Sequence, residues 1–195
     1  MTKLKICGLR DVSSAITAAN SGADYLGLVF VPYTRRRIGT ENALTLIEEY
    51  RLQIGKDAPP IVGLFANQTL EDVNRIVTYC RLDMVQLCGN ESTEYCKGIP
   101  VPIIRQVKIH TQETPEIVVQ NTLGQIGEIA SNGQKVVLDR YEDGALGGTG
   151  KTFDWTIASQ ISEQYEFLLA GGLTTENVEH AIESAQPWGI DVSSG

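Results

Sequence analysis

Short apolar runs and amphipathic stretches alternate along the whole chain. The runs at 4–7, 25–30, 61–65, 84–87, 101–107, 135–138, 167–169 and 189–192 are rich in Val, Ile, Leu and Phe, as strands buried on both faces are. Between them, apolar residues recur at helical spacing behind recognisable start signals. Asp11 precedes Val12, Ala15, Ile16 and Ala19, with Gly22 to end the helix. Thr40 precedes Ala43, Leu44, Ile47 and Tyr50. Thr69 stands at capping-box distance from Asp72, and Val73, Ile76 and Val77 form the buried stripe behind it. Further helix starts fall at Thr114-Pro115, at Asp154, and at Thr174 or Thr175 before Val178, Ala181 and Ile182.

Eight strands and seven helices in strict alternation predict parallel strands joined by right-handed crossovers, either doubly wound or closed into a barrel. The count of eight strands favours the barrel. A complete one typically takes about 250 residues, whereas this chain has 195 and offers no eighth helix after its last strand. The expectation is therefore an α/β fold, a (βα)8 TIM barrel with the final helix missing, formed as a single domain over residues 1–195.

Composition narrows the setting. Apolar residues at 42% and charged ones at 21% exclude a disordered chain. No apolar run approaches the roughly 18 residues that span a bilayer, and Lys3 and Lys5 interrupt any signal-peptide stretch. A cytoplasmic location is expected. The net charge of −8, from 16 basic and 24 acidic residues, argues against nucleic acid or a membrane surface as partner, but leaves room for a small anion at a locally basic site. Cys7, Cys80, Cys88 and Cys96 form no C-x-x-C pair, and His110 and His180 lack zinc-site spacing, so the cysteines read as reduced thiols.

In such a barrel the chemistry lies in the loops that follow the strands. Gly171-Gly172 and Ser193-Ser194-Gly195 follow the last two strands, where backbone N–H groups and hydroxyls can converge on one anion. Either loop alone would be an ordinary tight turn; together they predict a phosphate site. The glycine-rich stretch 144–152 approaches a P-loop, but Ala145 occupies the position that requires Gly. It reads instead as a loop covering the substrate, with an NTPase as the weaker alternative.

Cys7 ends the first strand and shares a face with Lys5. A nearby ammonium favours the thiolate that can serve as base or nucleophile, although a small buried Cys is the commoner fate of the residue. Asp139 ends the sixth strand, where apolar walls can keep a carboxyl protonated for use as an acid, or where it simply caps a loop. An acid and a base on opposite strands suit a proton-transfer isomerisation without metal or cofactor. Arg35-Arg36-Arg37 is either a solvated run or the source of a carboxylate clamp. His110 and His180 attract no role.

Several segments carry a family resemblance. Lys5-Ile6-Cys7-Gly8-Leu9, Gly27-Leu28-Val29-Phe30 with Arg36, Val85-Gln86-Leu87-Cys88-Gly89 and Gly147-Gly148-Thr149-Gly150-Lys151-Thr152-Phe153-Asp154-Trp155 are four of them. Leu169-Ala170-Gly171-Gly172-Leu173 with Glu176-Asn177-Val178, and Asp191-Val192-Ser193-Ser194-Gly195, complete the set in chain order. Together they resemble the phosphoribosylanthranilate isomerase family of tryptophan biosynthesis. The resemblance implies an Amadori rearrangement of N-(5-phosphoribosyl)anthranilate to 1-(2-carboxyphenylamino)-1-deoxyribulose 5-phosphate, in a monomer or homodimer acting on this small phosphorylated substrate. It implies Cys7 as the base at C2′, Asp139 as the acid at the ring oxygen, and Arg36 facing the anthranilate carboxylate. Gly171, Gly172, Ser193, Ser194 and Gly195 would hold the phosphate, with Asp191 pointing inward beneath them. Cys88 stands where the family usually has His, and members continue by about one more helix. The histidine-pathway phosphoribosyl isomerases would place Asp at the position of Cys7. A non-catalytic phosphosugar-binding barrel is the other reading.

Overall fold

The computed structural model describes residues 1–110, 112–140 and 152–193. Among these, eight strands alternate with seven helices: β1 (Lys3–Cys7), α1 (Val12–Asn20), β2 (Tyr25–Val29), α2 (Thr40–Ile54), β3 (Ile61–Phe65), α3 (Leu70–Cys80), β4 (Met84–Leu87), α4 (Thr93–Lys97), β5 (Ile103–Ile109), α5 (Pro115–Ser131), β6 (Lys135–Arg140), α6 (Trp155–Ser162), β7 (Leu168–Leu169), α7 (Val178–Ala185) and β8 (Gly189–Val192). The strands are ordered β1 to β8 in a closed barrel, the (βα)8 architecture that the count of eight strands favours over the doubly wound sheet. No helix among the described residues is long and apolar enough to cross a membrane.

Side chains cap the starts of α1, α3, α4 and α6, whereas Gly39, Thr114 and Asn177 make no side-chain cap bond at α2, α5 and α7. Asp11 Oδ1 accepts from Ser14 N at 2.8 Å to open α1, and Thr69 Oγ1 accepts from Asp72 N at 3.1 Å to open α3. The short α4 is opened by Ser92, whose Oγ accepts from Tyr95 N at 3.1 Å. Three expectations shift. β5 begins at Ile103 rather than at 101, because Pro102 lacks the N–H a ladder needs; its carbonyl accepts from Val85 N at 3.0 Å instead. β6 continues to Arg140, so Asp139 lies within the strand rather than at its end. α7 starts at Val178 with Asn177 as its cap residue; Thr174 N donates to Asn177 Oδ1 at 2.8 Å in the turn before it.

The chain divides into two compact units, Leu4–Ile104, and Arg105–Gly195 together with Met1–Lys3. In the first, Leu26, Leu28, Ile61, Phe65, Val85 and Leu87 of the strands pack against Ile47, Tyr50, Val73 and Val77 of the helices. Each such side chain contributes roughly 1.5–3 kcal/mol on burial. At the N-terminal ends of the strands, Asp83 Oδ2 accepts from Ile61 N at 2.7 Å and from Arg51 Nη2 at 2.7 Å. Tyr50 Oη donates to the Pro59 carbonyl at 3.0 Å. In the second unit β6, β7 and β8 pair in parallel, with Leu138 opposite Leu169 and Leu169 opposite Ile190.

Candidate active site

In the first unit the loops after β2, β3 and β4 are tied to one another by side chains. Glu91 carboxylate oxygens accept from Asn67 N at 2.7 Å and from Gly89 N at 3.0 Å. Asn67 Oδ1 accepts in turn from Asn90 N at 2.8 Å, and Gln68 Nε2 donates to the Phe30 carbonyl at 3.0 Å. These bonds hold the C-terminal strand ends in place without regular structure.

Cys7 is buried at the end of β1, and Lys5, two residues earlier, is wholly buried. Gly27 of β2 stands opposite Cys7. A Cβ added at Gly27 would meet Cys7 Sγ at 2.7 Å, so glycine is what leaves room for the thiol. The next residue, Gly8, has φ of +83°, and a Cβ there would meet Arg36 Cδ at 2.5 Å. The Arg36 stem therefore lies against the backbone that follows Cys7. Of the three consecutive arginines, Arg36 is half-buried while Arg35 and Arg37 are exposed. This separates the run into one residue turned to the β1 end and two in solvent.

Cys88 lies close by. Its Sγ receives a hydrogen bond from Gln86 Nε2 at 3.4 Å. Burial pushes its thiol up to about 12, against the opposing pull of the Gln86 bond and of Lys5, with Cys7 adding to the rise. Cys88 is thus a neutral thiol at physiological pH, in contrast to an imidazole, which titrates there.

In the second unit Asp139 is the best-defined polar group. Its Oδ1 accepts from Arg140 N at 2.8 Å and its Oδ2 from Gln106 Nε2 of β5 at 2.8 Å. Burial raises the Asp139 carboxyl to about 6, and the charge of Asp191 adds to the rise; the Arg140 N–H, the Gln106 amide and Lys108 pull the other way. Asp191 is buried on β8. Gly171 and Gly172, beyond β7, both have positive φ, +91° and +63°, a backbone that glycine adopts without penalty. Asn177 Nδ2 donates to the Gly172 carbonyl at 2.9 Å and fixes the turn. Ser193 is exposed just beyond β8. Ser194, Gly195 and the glycine-rich residues 144–151 lie outside the described residues; of that loop's flank, Thr152 accepts from Arg140 Nη1 at 2.6 Å through its carbonyl.

The N-(5′-phosphoribosyl)anthranilate isomerase family model matches residues 4–195. A relative of that name from Dehalococcoides mccartyi is 46% identical, covering 100% of this chain and 87% of its own length. The crystal structure of phosphoribosyl anthranilate isomerase from Thermotoga maritima superposes with a TM-score of 0.82 at 30% identity, covering 100% of this chain and 89% of that one. A further isomerase, solved with reduced 1-(o-carboxyphenylamino)-1-deoxyribulose 5-phosphate, matches with a TM-score of 0.79 at 29% identity, covering 100% of this chain and 88% of that one. The chain belongs to the phosphoribosylanthranilate isomerase family.

Within this member of the family, two polar neighbours escape a motif reading. Gln106 touches Asp139 from 33 positions away, and Gln86 touches Cys88. For Gln86 the signal is a glutamine inside an otherwise apolar strand, where a buried amide demands partners; Gln106 stands between Arg105 and Lys108 in β5 and carries no such signal. Gly27 supplies a test of the site's tolerances. Gly27→Ala is expected to lower isomerase kcat roughly 10- to 100-fold by displacing the Cys7 thiol and to destabilise the fold by about 1–3 kcal/mol. Steady-state kinetics alongside thermal unfolding will show both effects; an unchanged kcat would mean that the thiol's placement is immaterial.

Proposed function

We infer that this chain catalyses the Amadori rearrangement of N-(5-phosphoribosyl)anthranilate to 1-(2-carboxyphenylamino)-1-deoxyribulose 5-phosphate, the isomerase step of tryptophan biosynthesis. Its family membership supports the reaction, and the half-buried Asp139 carboxyl with its raised pKa carries the mechanism. Asp139 gives its proton to the furanose ring oxygen as the C1′–O bond breaks, and the anilino nitrogen supplies the electron pair that forms an iminium. The Cys7 thiolate then takes the C2′ proton, and the C–H electrons become the C1′–C2′ double bond of an enolamine. Ketonisation moves a proton to C1′ and leaves the carbonyl at C2′. No atoms are gained or lost. A carboxyl with a pKa of about 6 keeps an appreciable protonated fraction near neutrality, which an ordinary Asp near 3.9 does not.

Arg36 pairs with the anthranilate carboxylate. Gly171, Gly172, Ser193, Ser194 and Gly195 receive the phosphate, and Asp191 lies beneath them. Residues 1–195 act as one catalytic domain in the cytoplasm, as a monomer or homodimer, with a small phosphorylated molecule rather than nucleic acid or membrane as ligand; the net charge of −8 supports that preference. Purified protein incubated with N-(5-phosphoribosyl)anthranilate should extinguish the substrate's fluorescence catalytically. Stoichiometric binding without turnover would instead make it a phosphosugar-binding barrel.

A further inference from the structure

Gln106 stands beside the carboxyl to which the mechanism assigns the acid proton. It reaches Asp139 from β5, the strand next to β6 in the barrel order, and its Nε2 donates to Oδ2 at 2.8 Å. Arg140 N donates to the other oxygen at 2.8 Å. One N–H on each oxygen fixes the carboxyl plane and leaves a lone pair on each for the acid proton. The orientation of the amide is determined as well. Turned over, it would set its own oxygen against a carboxylate oxygen, two acceptors with no proton between them when Asp139 is ionised. As it stands, Gln106 Oε1 is shielded from solvent and accepts no hydrogen bond among the described residues. The amide is therefore held by the carboxylate rather than by a network of its own. Leaving a buried acceptor unmatched is unfavourable.

We propose that Gln106 is a positioning residue for the isomerisation, one that orients the Asp139 carboxyl and sets how strongly it holds its proton. The proposal rests on Asp139 being the acid. A hydrogen bond donated to a carboxylate favours the ionised form, so Gln106 opposes the rise that burial imposes on Asp139. The other charged groups acting on this carboxyl are Asp191 from β8, which raises it, and Lys108 from β5, which lowers it. The two residues of β7, Leu168 and Leu169, bring no charge.

The test combines a direct titration of Asp139, by carboxyl carbon NMR, with the pH dependence of kcat/KM in the same proteins. Gln106→Met keeps the length of the side chain and removes the donor; Gln106→Glu keeps its shape and replaces the donor with an acceptor. Either variant should raise the Asp139 titration by about one pH unit, and an inflection in log kcat/KM should move up by the same amount while KM changes little. If the NMR titration does not move in either variant, Gln106 does not govern Asp139, and the proposal falls while Asp139 remains the acid. If the titration moves and the kinetic profile does not, the reading of Asp139 as the acid fails, and the role of Gln106 with it. An Asp139→Asn control that retains full turnover would identify that second failure independently.

Discussion

Asp139→Asn is expected to make the protein more stable above pH 6 by roughly 2–3 kcal/mol and to lower its isomerase kcat by about 10²- to 10⁴-fold. Both effects have one origin. The carboxyl titrates near 6 in the folded chain, against a usual value of 3.8. Below pH 4 the folded and unfolded chains both carry the proton, and the variant gains nothing. Between about 4 and 6 the unfolded chain releases its proton first, so the wild-type fold loses stability as pH rises. Above 6 the folded carboxylate is charged in its largely desolvated site, and the whole cost is present. An amide carries no charge to desolvate. It can also pair with Gln106, whose Oε1 otherwise accepts no hydrogen bond among the described residues. Denaturant titrations at pH 4 and pH 7.5 separate the two regimes: the variant should match wild type at the first and exceed it at the second. Equal stability at both would mean that the carboxyl is not held at a raised pKa. The price of this stability is the acid proton, a trade common at sites that must hold an unfavourable group in place.

The second large effect falls at Cys7. Cys7→Ser is expected to reduce kcat by about 10²- to 10⁴-fold with KM changed only slightly. A serine hydroxyl fits the space that Gly27 leaves, but it does not ionise near neutrality as a thiol can. Lys5 is wholly buried two residues earlier on the same strand; an ammonium there would favour an anion at this end of β1. The neighbouring thiol cannot substitute, because burial keeps Cys88 protonated, with its pKa pushed up to about 12. Cys88→Ser should accordingly leave most of the turnover in place. A Cys7→Ser protein with wild-type kcat would remove the thiol from the mechanism.

Much of the fold is legible in the amino-acid pattern because the determinants are local. The Asp11 and Thr69 caps act within three residues of themselves, and the eight apolar runs need no partner to be recognised. The misplaced boundaries have physical causes of a different kind. At β5 a proline follows Val101, and the strand starts only at Ile103. At α7 the threonines promise a helix start, but Asn177 takes the turn through its side chain and defers the first helical residue to Val178.

The candidate site divides in the same way. Cys7, Asp139 and the paired glycines stand out because they fall at or near strand ends, a position that one-dimensional alternation already locates. Which of three adjacent arginines turns inward does not follow from their order; it depends on Gly8 lacking a Cβ where the Arg36 stem passes. The Gln106 contact is less visible still, since it depends on the alignment of two strands whose residues are 33 positions apart. Likewise, the chemical state of Cys88 is set by burial and by Gln86, neither of which a motif records.

The central assignment is that of Asp139 and Cys7 as the acid and base of one isomerisation. Its most direct test is to follow the loss of N-(5-phosphoribosyl)anthranilate fluorescence with wild type, Cys7→Ser and Asp139→Asn under identical conditions, each protein first shown to be folded. Wild type should consume the substrate over many turnovers, while each variant binds it and converts it at least about 10²-fold more slowly. Undiminished turnover in both variants would contradict the claim.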